Sequence, residues 1–404
     1  MAKRVLIYTN HFFPENFKVN EIASLFSQEG MEVKVITGLP NYPSGSIYEG
    51  YGYFKRNNEI IDGVKVKRLL LIPRGSGSKF RLILNYLSYF ISCLIYTFYL
   101  ALFKKKYDVV FVHHTSPILI AISPIFYKWI KHPKMILWDL DMWPDTLVAL
   151  DVIKSKRLIE FLESLISWIY KKYDYILLGS KSFVERASSR VNSSKAQYFP
   201  NWAEKVFTDG SIIKVIEPQI KFPKGFKIMY SGNIGEAQDF GNVFKAMELL
   251  KNKDVNWLIV GNGRWLKKLQ DKIIKAGISE KVTFYGNHKL ETMPWFFSNA
   301  DVMFLSLKNK EIFSKTVPAK LQAYMAFGKP VAAMISGEGA EIIKKANCGF
   351  SVESGDYKGF AETIDRMRLK TGELNNLGLN GKDFYNKNFS VQSRKNQLMK
   401  KIKS

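Results

Sequence analysis

Three lysines, two prolines and a short apolar helix meet in the stretch Ser314–Val331, SKTVPAKLQAYMAFGKPV. A proline such as Pro318 is tolerated at the first turn of a helix, where a missing amide donor costs nothing. Leu321, Ala323, Tyr324, Met325 and Phe327 then read as a short helix, which Gly328 stops and Pro330 keeps from resuming. The apolar run Val331–Ile335 follows as a buried strand. A polar loop entering a helix N-terminus offers unpaired N–H groups and the positive end of a dipole to an anion. Lys315 and Lys320 add mobile positive charge, so the stretch reads as a seat for a diphosphate. Two earlier turns share that chemistry. SGNIGE (Ser231–Glu236) and VGNGR (Val260–Arg264) end strands in residues small enough for backbone to approach a phosphate closely. Neither has the three-glycine spacing of a dinucleotide fingerprint.

Acid–base candidates lie in the first half of the chain. In WDLDMWPDTL (Trp138–Leu147), Asp139 and Asp141 are two apart and point the same way on an extended segment. One reading is an aspartate pair on a metal ion. The other is a single carboxylate acting as base or orienting an acceptor hydroxyl. Asp141, nearer the strand end, is the catalytic candidate; Asp139 and Asp145 read as structural or capping residues. No nearby histidine supports a metal, and none is expected. His113 and His114 end another strand; His114 is the second catalytic candidate, and at least one of the pair reads as a structural histidine.

These groups need elements to hold them. The 404 residues exceed one ordinary core, and an apolar fraction of 47% fills two. From VLIYTN (Val5–Asn10) onward, strand, helix and strand alternate, which implies right-handed crossovers and a parallel sheet. The rhythm restarts at FKIMYSG, after a patternless Lys214–Gly225 that reads as a linker. The loop GLPNYPSGSIYEGYG leaves a strand at its carboxyl end, where open α/β sheets bind ligands. Asn41 and Tyr42 in that loop, with Asn16 and Lys18 after the first strand, are the acceptor-binding candidates.

The net charge of +24 favours nucleic acid, an anionic lipid surface or a phosphorylated substrate, and the 29 Phe and 20 Tyr tilt the choice towards a membrane surface. No nucleic-acid motif appears, and nucleic acid is not expected as a partner. Cys93 and Cys348 form no disulfide framework, which suits a reducing cytoplasm, and the N-terminus reads as a strand without a signal core. Leu82–Phe103 holds no charged residue, while Lys79, Arg81 and Lys104–Lys106 bracket it. As a helix it would be about 33 Å long. Membrane-surface, core or interdomain, and transmembrane placements all remain open. The last would split one sheet across the bilayer.

The series PENFKVNE, TGLPNYPSG, WDLDMWPD, SGNIGEAQDF, VGNG, VPAKLQAYMAFGKPV and GEGAEII resembles glycosyltransferase family four of the GT-B fold. Within it, the chain is similar to the WbuB-type transferases of O-antigen assembly, proposed to add N-acetyl-L-fucosamine. The resemblance implies two Rossmann-like domains facing across a cleft: an acceptor-side domain over 1–203 that includes the apolar helix of about 82–103, and a nucleotide-sugar domain over 204–384. A helix over 385–404 would return to the first domain. It also implies a UDP-sugar donor with no cofactor and no metal. Gly232 and Asn233 would lie by the diphosphate, Lys320 would pair with it, Gln322 would lie near the ribose, and Glu341 matches the family's acidic residue. The chain departs from the pattern in that the family's two glutamates, spaced by seven residues, are Ser314 and Gln322 here. The usual Arg and Lys of the first loop of the second domain are Asn233 and Gln238, and the usual glycine pair of the first domain is replaced near Phe17 and Lys18. Lys320 and Arg264 are the candidates to supply the missing positive charge.

The expected activity is transfer of a deoxyamino sugar from a UDP donor to a saccharide on undecaprenyl diphosphate. The expected place is the cytoplasmic face of the inner membrane, as a peripheral protein on its anionic surface. A nucleotide-sugar epimerase of the same fold and a non-catalytic lipid-carrier scaffold are the alternatives.

Overall fold

Long apolar strands alternating with amphipathic helices build two units, described here separately. In the computed structural model, residues 2–149, 151–209 and 220–403 are described. One unit is Met1–Phe199 with Leu398–Ser404; the other is Pro200–Gln397. Residues 214–219 of the expected linker lie outside the described residues.

The first unit carries an eight-stranded sheet: β1 (Arg4–Thr9), β2 (Glu32–Gly38), β3 (Asn58–Ile61), β4 (Val64–Leu69), β5 (Val109–His114), β6 (Lys134–Asp139), β7 (Tyr175–Leu178) and β8 (Ala196–Tyr198), in the order β3-β4-β2-β1-β5-β6-β7-β8. All neighbours are parallel except β3 and β4. Runs such as VVFVHH in β5 are buried throughout, as strands covered on both faces must be. The order reverses between β1 and β5, which places Thr9 opposite His113. The β3–β4 pair extends the sheet beyond what the apolar runs imply. Its turn, Asp62-Gly63, has φ of 50° and 78°, the left-handed pair that a tight hairpin requires.

The apolar segment forms one helix, Lys79–Phe103, long and apolar enough to cross a membrane by length and composition. Strands before and after it pair directly, Val5 with Val109 and onward, so a spanning placement would tear one sheet in two. The transmembrane alternative therefore fails. The helix packs on the sheet with its more polar side. The Tyr89 hydroxyl donates to the Thr9 carbonyl at 2.7 Å, Asn85 Nδ2 to the Ile72 carbonyl at 2.7 Å, and the Ile72 amide to Ser88 Oγ at 2.9 Å. Phe80, Ile83, Leu87, Ile91, Ile95 and Leu102 face outward, with Phe80 69% exposed.

The second unit has six parallel strands: β9 (Phe226–Ser231), β10 (Val255–Val260), β11 (Val282–Gly286), β12 (Val302–Ser306), β13 (Val331–Met334) and β14 (Gly349–Val352), ordered β11-β10-β9-β12-β13-β14. This is the doubly wound order with its reversal between β9 and β12, the place where such sheets hold nucleotides. The core gathers Tyr230, Trp257, Phe304, Phe360 and Met334.

One ionic knot ties the first unit behind β6. Arg190, almost fully buried, meets Glu163 at 2.9 Å and Asp145 at 3.1 Å, and Arg186 also reaches both acids. Asp145 is thus structural. Arg190→Ala leaves the two partly buried carboxylates to Arg186 alone and is expected to cost about 2 kcal/mol, below the fully buried, fully unpaired case. Urea unfolding measures it.

Candidate functional site

Beside the reversal of the second sheet the chain leaves β9 through Gly232 (φ +129°) and β10 through Gly261 (φ +135°). Both angles lie in the region that side chains avoid. A Cβ built on Gly261 would sit 2.0 Å from the Gly232 carbonyl oxygen, and one on Gly263 would sit 2.2 Å from that of Ile234. The two loops are therefore backbone against backbone. Gly232 N–H donates to Val260 O and Ile234 N–H to Asn262 O, both at 2.8 Å, while Gly235 N–H donates to Gln238 Oε1 at 3.0 Å. Bare amides were expected along this loop. Of residues 232–235, only Asn233 keeps an amide without a protein acceptor among the described residues.

The ends of β9, β10 and β11 open on a cavity of about 440 Å³, lined by Gly232, Asn233, Asn262, Asn287, His288 and Met293, among others. Lys320 is the second residue of the helix Ala319–Phe327. Its Cε lies 2.5 Å, and its Nζ 3.1 Å, from where a Cβ of Gly232 would be. The Nζ is 5.3 Å from the centre of the Tyr230 ring, and no carboxylate pairs with it among the described residues. Burial lowers its pKa to about 8. A half-buried cation without a counter-charge, against the wall of a glycine-lined cavity, is a ready partner for a diphosphate.

Three other donor-side expectations need correction. Gln322 is 1% exposed, and its Nε2 donates to the Asn201 carbonyl at 2.7 Å, so it braces the backbone rather than facing a ribose. Arg264 is exposed and lines a neighbouring groove with Lys267, Gln270 and Asp271, because the chain turns into the next helix just after Gly263. Glu341 lies on the helix Glu338–Ala346, is exposed, and meets Lys345 at 2.9 Å beside a different cavity. His288 and Asn287 were missed; the only signal was their position just past a glycine-ended strand.

In the first unit the reversal gathers the acid–base groups. Asp139 is fully buried: Oδ1 meets His114 Nδ1 at 2.8 Å and the Asp141 amide at 3.1 Å, and Oδ2 accepts the Tyr170 hydroxyl at 2.5 Å. Both oxygens are thus occupied, which sets the aspartate-pair reading aside. Burial alone would depress His114, yet the charge and hydrogen bond of Asp139, with the charge of Asp141, hold its pKa above the ordinary value. Burial likewise opposes ionised Asp139, but His114, Tyr170 and the Asp141 amide keep it low. His114 is fully enclosed, its Nε2 without a bond among the described residues, so it offers no open face for a substrate and its Nδ1 is held by Asp139. His113 is buried against Thr9 Oγ1 at 3.0 Å, and burial, then its two histidine neighbours, push its pKa down to about 3. Asp141 is only half-buried and its carboxylate accepts no hydrogen bond among the described residues, which leaves it the open acid of this loop. Among the described residues no three His, Cys, Asp or Glu side chains gather as a metal site.

On the acceptor side, Asn16 is exposed, Lys18 Nζ donates to Glu21 at 3.0 Å, and the Tyr42 ring is 42% exposed. Asn41 is corrected: it is buried, with its amide on Glu15 Oε1 at 3.0 Å and Nδ2 on the Leu39 carbonyl at 2.8 Å, so it shapes the loop. The buried pair His11–Glu15, 3.0 Å apart, lies beneath and was not anticipated.

Two outcomes follow from this geometry. Gly261→Ala must push the Gly232 carbonyl aside, so UDP affinity is expected to fall more than about tenfold by titration calorimetry. Near pH 8 Lys320 is about half neutral; a bound diphosphate favours its charged form. UDP binding should therefore take up a proton there, seen by calorimetry in buffers of different ionisation enthalpy, and should weaken as pH rises further.

Residues 213–384 match the family described as "Glycosyl transferases group 1". The chain is 25% identical over 308 residues to the "Probable glycosyltransferase WbjE" of Pseudomonas aeruginosa, covering 73% of this chain and 74% of that one. Among solved structures it is similar to HepE of Anabaena in complex with UDP-glucose, with a TM-score of 0.70, 12% identity and 99% of each chain covered. It is also similar to WaaG, "a glycosyltransferase involved in lipopolysaccharide biosynthesis", with a TM-score of 0.68, 14% identity and 98% of each chain covered. At these identities the structural likeness carries the fold, which is GT-B. With that fold, and a glycosyl transferases group 1 domain in its second unit, the chain is a glycosyltransferase.

Proposed function

We propose that the chain moves a sugar from a UDP-sugar to a saccharide carried on undecaprenyl diphosphate, in O-antigen or surface-polysaccharide synthesis. By the resemblance of its motifs, the sugar is N-acetyl-L-fucosamine. The observation that carries the donor side is Lys320, a cation without a carboxylate partner among the described residues, beside the cavity at the ends of β9–β11. HepE, of the same fold, binds UDP-glucose, and WaaG acts in lipopolysaccharide biosynthesis; both support this direction. Charge that develops on the departing diphosphate is met by Lys320 and the Asn233 amide, groups already in place before reaction. No metal ion or cofactor enters this account. Asp141 is the carboxylate assigned to the acceptor hydroxyl.

The outward apolar stripe of Lys79–Phe103, flanked by Lys79, Arg81 and Lys104–Lys106, supports a peripheral seat on the anionic inner leaflet. The epimerase and scaffold alternatives are not favoured, since the matched domain is that of transferases.

The test is to incubate the protein with a panel of UDP-sugars and a short lipid-diphosphate saccharide, with and without EDTA, and to weigh the products. One added sugar, with EDTA harmless, is the expected result; turnover of donor without acceptor overturns it. Lys320→Ala should weaken UDP binding about tenfold or more. Unchanged affinity removes Lys320 from the site.

A further inference from the structure

Arg74, in the loop between β4 and the apolar helix, is an oriented cation with no carboxylate partner among the described residues. One of its amino groups, Nη2, lies 2.9 Å from His11 Nε2. A guanidinium only donates, so Nε2 accepts and the imidazole proton sits on Nδ1, which faces Glu15 Oε2 at 3.0 Å. Glu15 Oε1 is occupied by the Asn41 and Tyr42 amides at 3.0 and 2.7 Å. Glu15 thus aims Arg74 through a neutral imidazole without meeting its charge. The guanidinium carbon lies 5.2 Å from the Tyr42 ring centre and 5.4 Å from that of Tyr86, and Nε is buried without a partner.

The frame around it is stiff. Gly75 N–H donates to Gly45 O at 2.8 Å, and a Cβ on Gly45 would lie 1.9 Å from the Gly75 carbonyl oxygen. The next turn adds a second cation. Arg81, also without a carboxylate partner among the described residues, has Cδ and Nε 3.8 Å from where a Cβ of Gly75 would be. Arg81 belongs to the first turn of the Lys79–Phe103 helix, whose outward stripe begins with Phe80, Ile83 and Leu87. Two open cations therefore stand at the foot of an uncovered apolar track.

We infer that Arg74 and Arg81 form a receptor for the phosphoryl end of an amphiphile whose apolar chain runs along that track. This rests on the proposed lipid-linked acceptor and adds where its diphosphate is held. Planar, charge-assisted donors suit a phosphate, and an aromatic flank strengthens a cation that water no longer fully solvates.

The probe is farnesyl diphosphate, titrated into full-length protein with UDP at saturation so that the donor site is filled. Inorganic pyrophosphate and phosphatidylglycerol vesicles are the comparison arms. Farnesyl diphosphate is expected to bind at least about tenfold more tightly than pyrophosphate, and Arg74→Gln to weaken both about tenfold. Arg74→Lys should retain part of the pyrophosphate affinity. Ile83→Ser with Leu87→Ser, both exposed, should erase the farnesyl advantage and leave pyrophosphate binding unchanged. Unaltered binding in Arg74→Gln overturns the inference, provided UDP affinity shows the variant folded. Vesicles that displace the probe as well as unlabelled farnesyl diphosphate does also overturn it, since they return the site to bulk headgroups. Farnesyl diphosphate bound through Arg74 by a protein that transfers no sugar would sink the transfer reading and leave this site standing. Wild-type kcat and acceptor KM in an active Arg74→Gln enzyme would do the reverse.

Discussion

Where β9 and β10 end, two loops approach so closely that only hydrogen atoms fit between them, and the rest of the candidate donor site follows from that contact. Because Gly232 and Gly261 touch, the loop amides bond each other, and in the proposed donor site the phosphate-facing duty falls to side chains. In that proposal Lys320 takes it up, in a place where water is partly excluded. There an uncompensated charge acts more strongly than it would in solution, at the cost of a lowered pKa. The family that the motifs resemble uses acids and bases in these loops, whereas the proposed donor contacts here are one cation and one amide.

The first unit repeats the doubly wound order, and its reversal sorts its charges by the same physics. A buried carboxylate must have partners, and Asp139 has three, which rules it out for chemistry on a substrate. Asp141, two residues on, has an amide that helps to hold Asp139 and a carboxylate left open. The two aspartates share a motif but not a role, and the division is made by which one the helix Lys156–Lys172 covers with Tyr170.

Much of the fold could be read from periodicity, because parallel strands buried on both faces are unbroken apolar runs and their crossovers are amphipathic. The β3–β4 hairpin is also written in the chain, as Asp62-Gly63 between alternating residues, but its short strands lack the unbroken apolar runs that mark the others. Side-chain direction was less legible. Helix Ala319–Phe327 is buried along Leu321–Ala326, so Gln322 had to find a partner inside, and that partner, Asn201, is 121 residues away in sequence. Arg264 follows a glycine that does line the cavity, but one step of turning chain sends it into the next groove. Neither outcome is encoded locally. The absence of a carboxylate beside Lys320 or Arg74 among the described residues is likewise a fact of three-dimensional neighbours.

The helix Lys79–Phe103 wears its pattern inside out, polar keys towards the sheet and greasy side chains towards the surroundings. Its roll about its own axis is set by a few directional bonds from Asn85, Ser88 and Tyr89, not by oil-like burial. Rolling by half a turn would hide the greasy stripe but orphan those bonds. Evolutionary drift should therefore run opposite to that of an ordinary surface helix: the outer row is free to exchange one aliphatic for another, while the small hydroxyls and amide beneath are held nearly still.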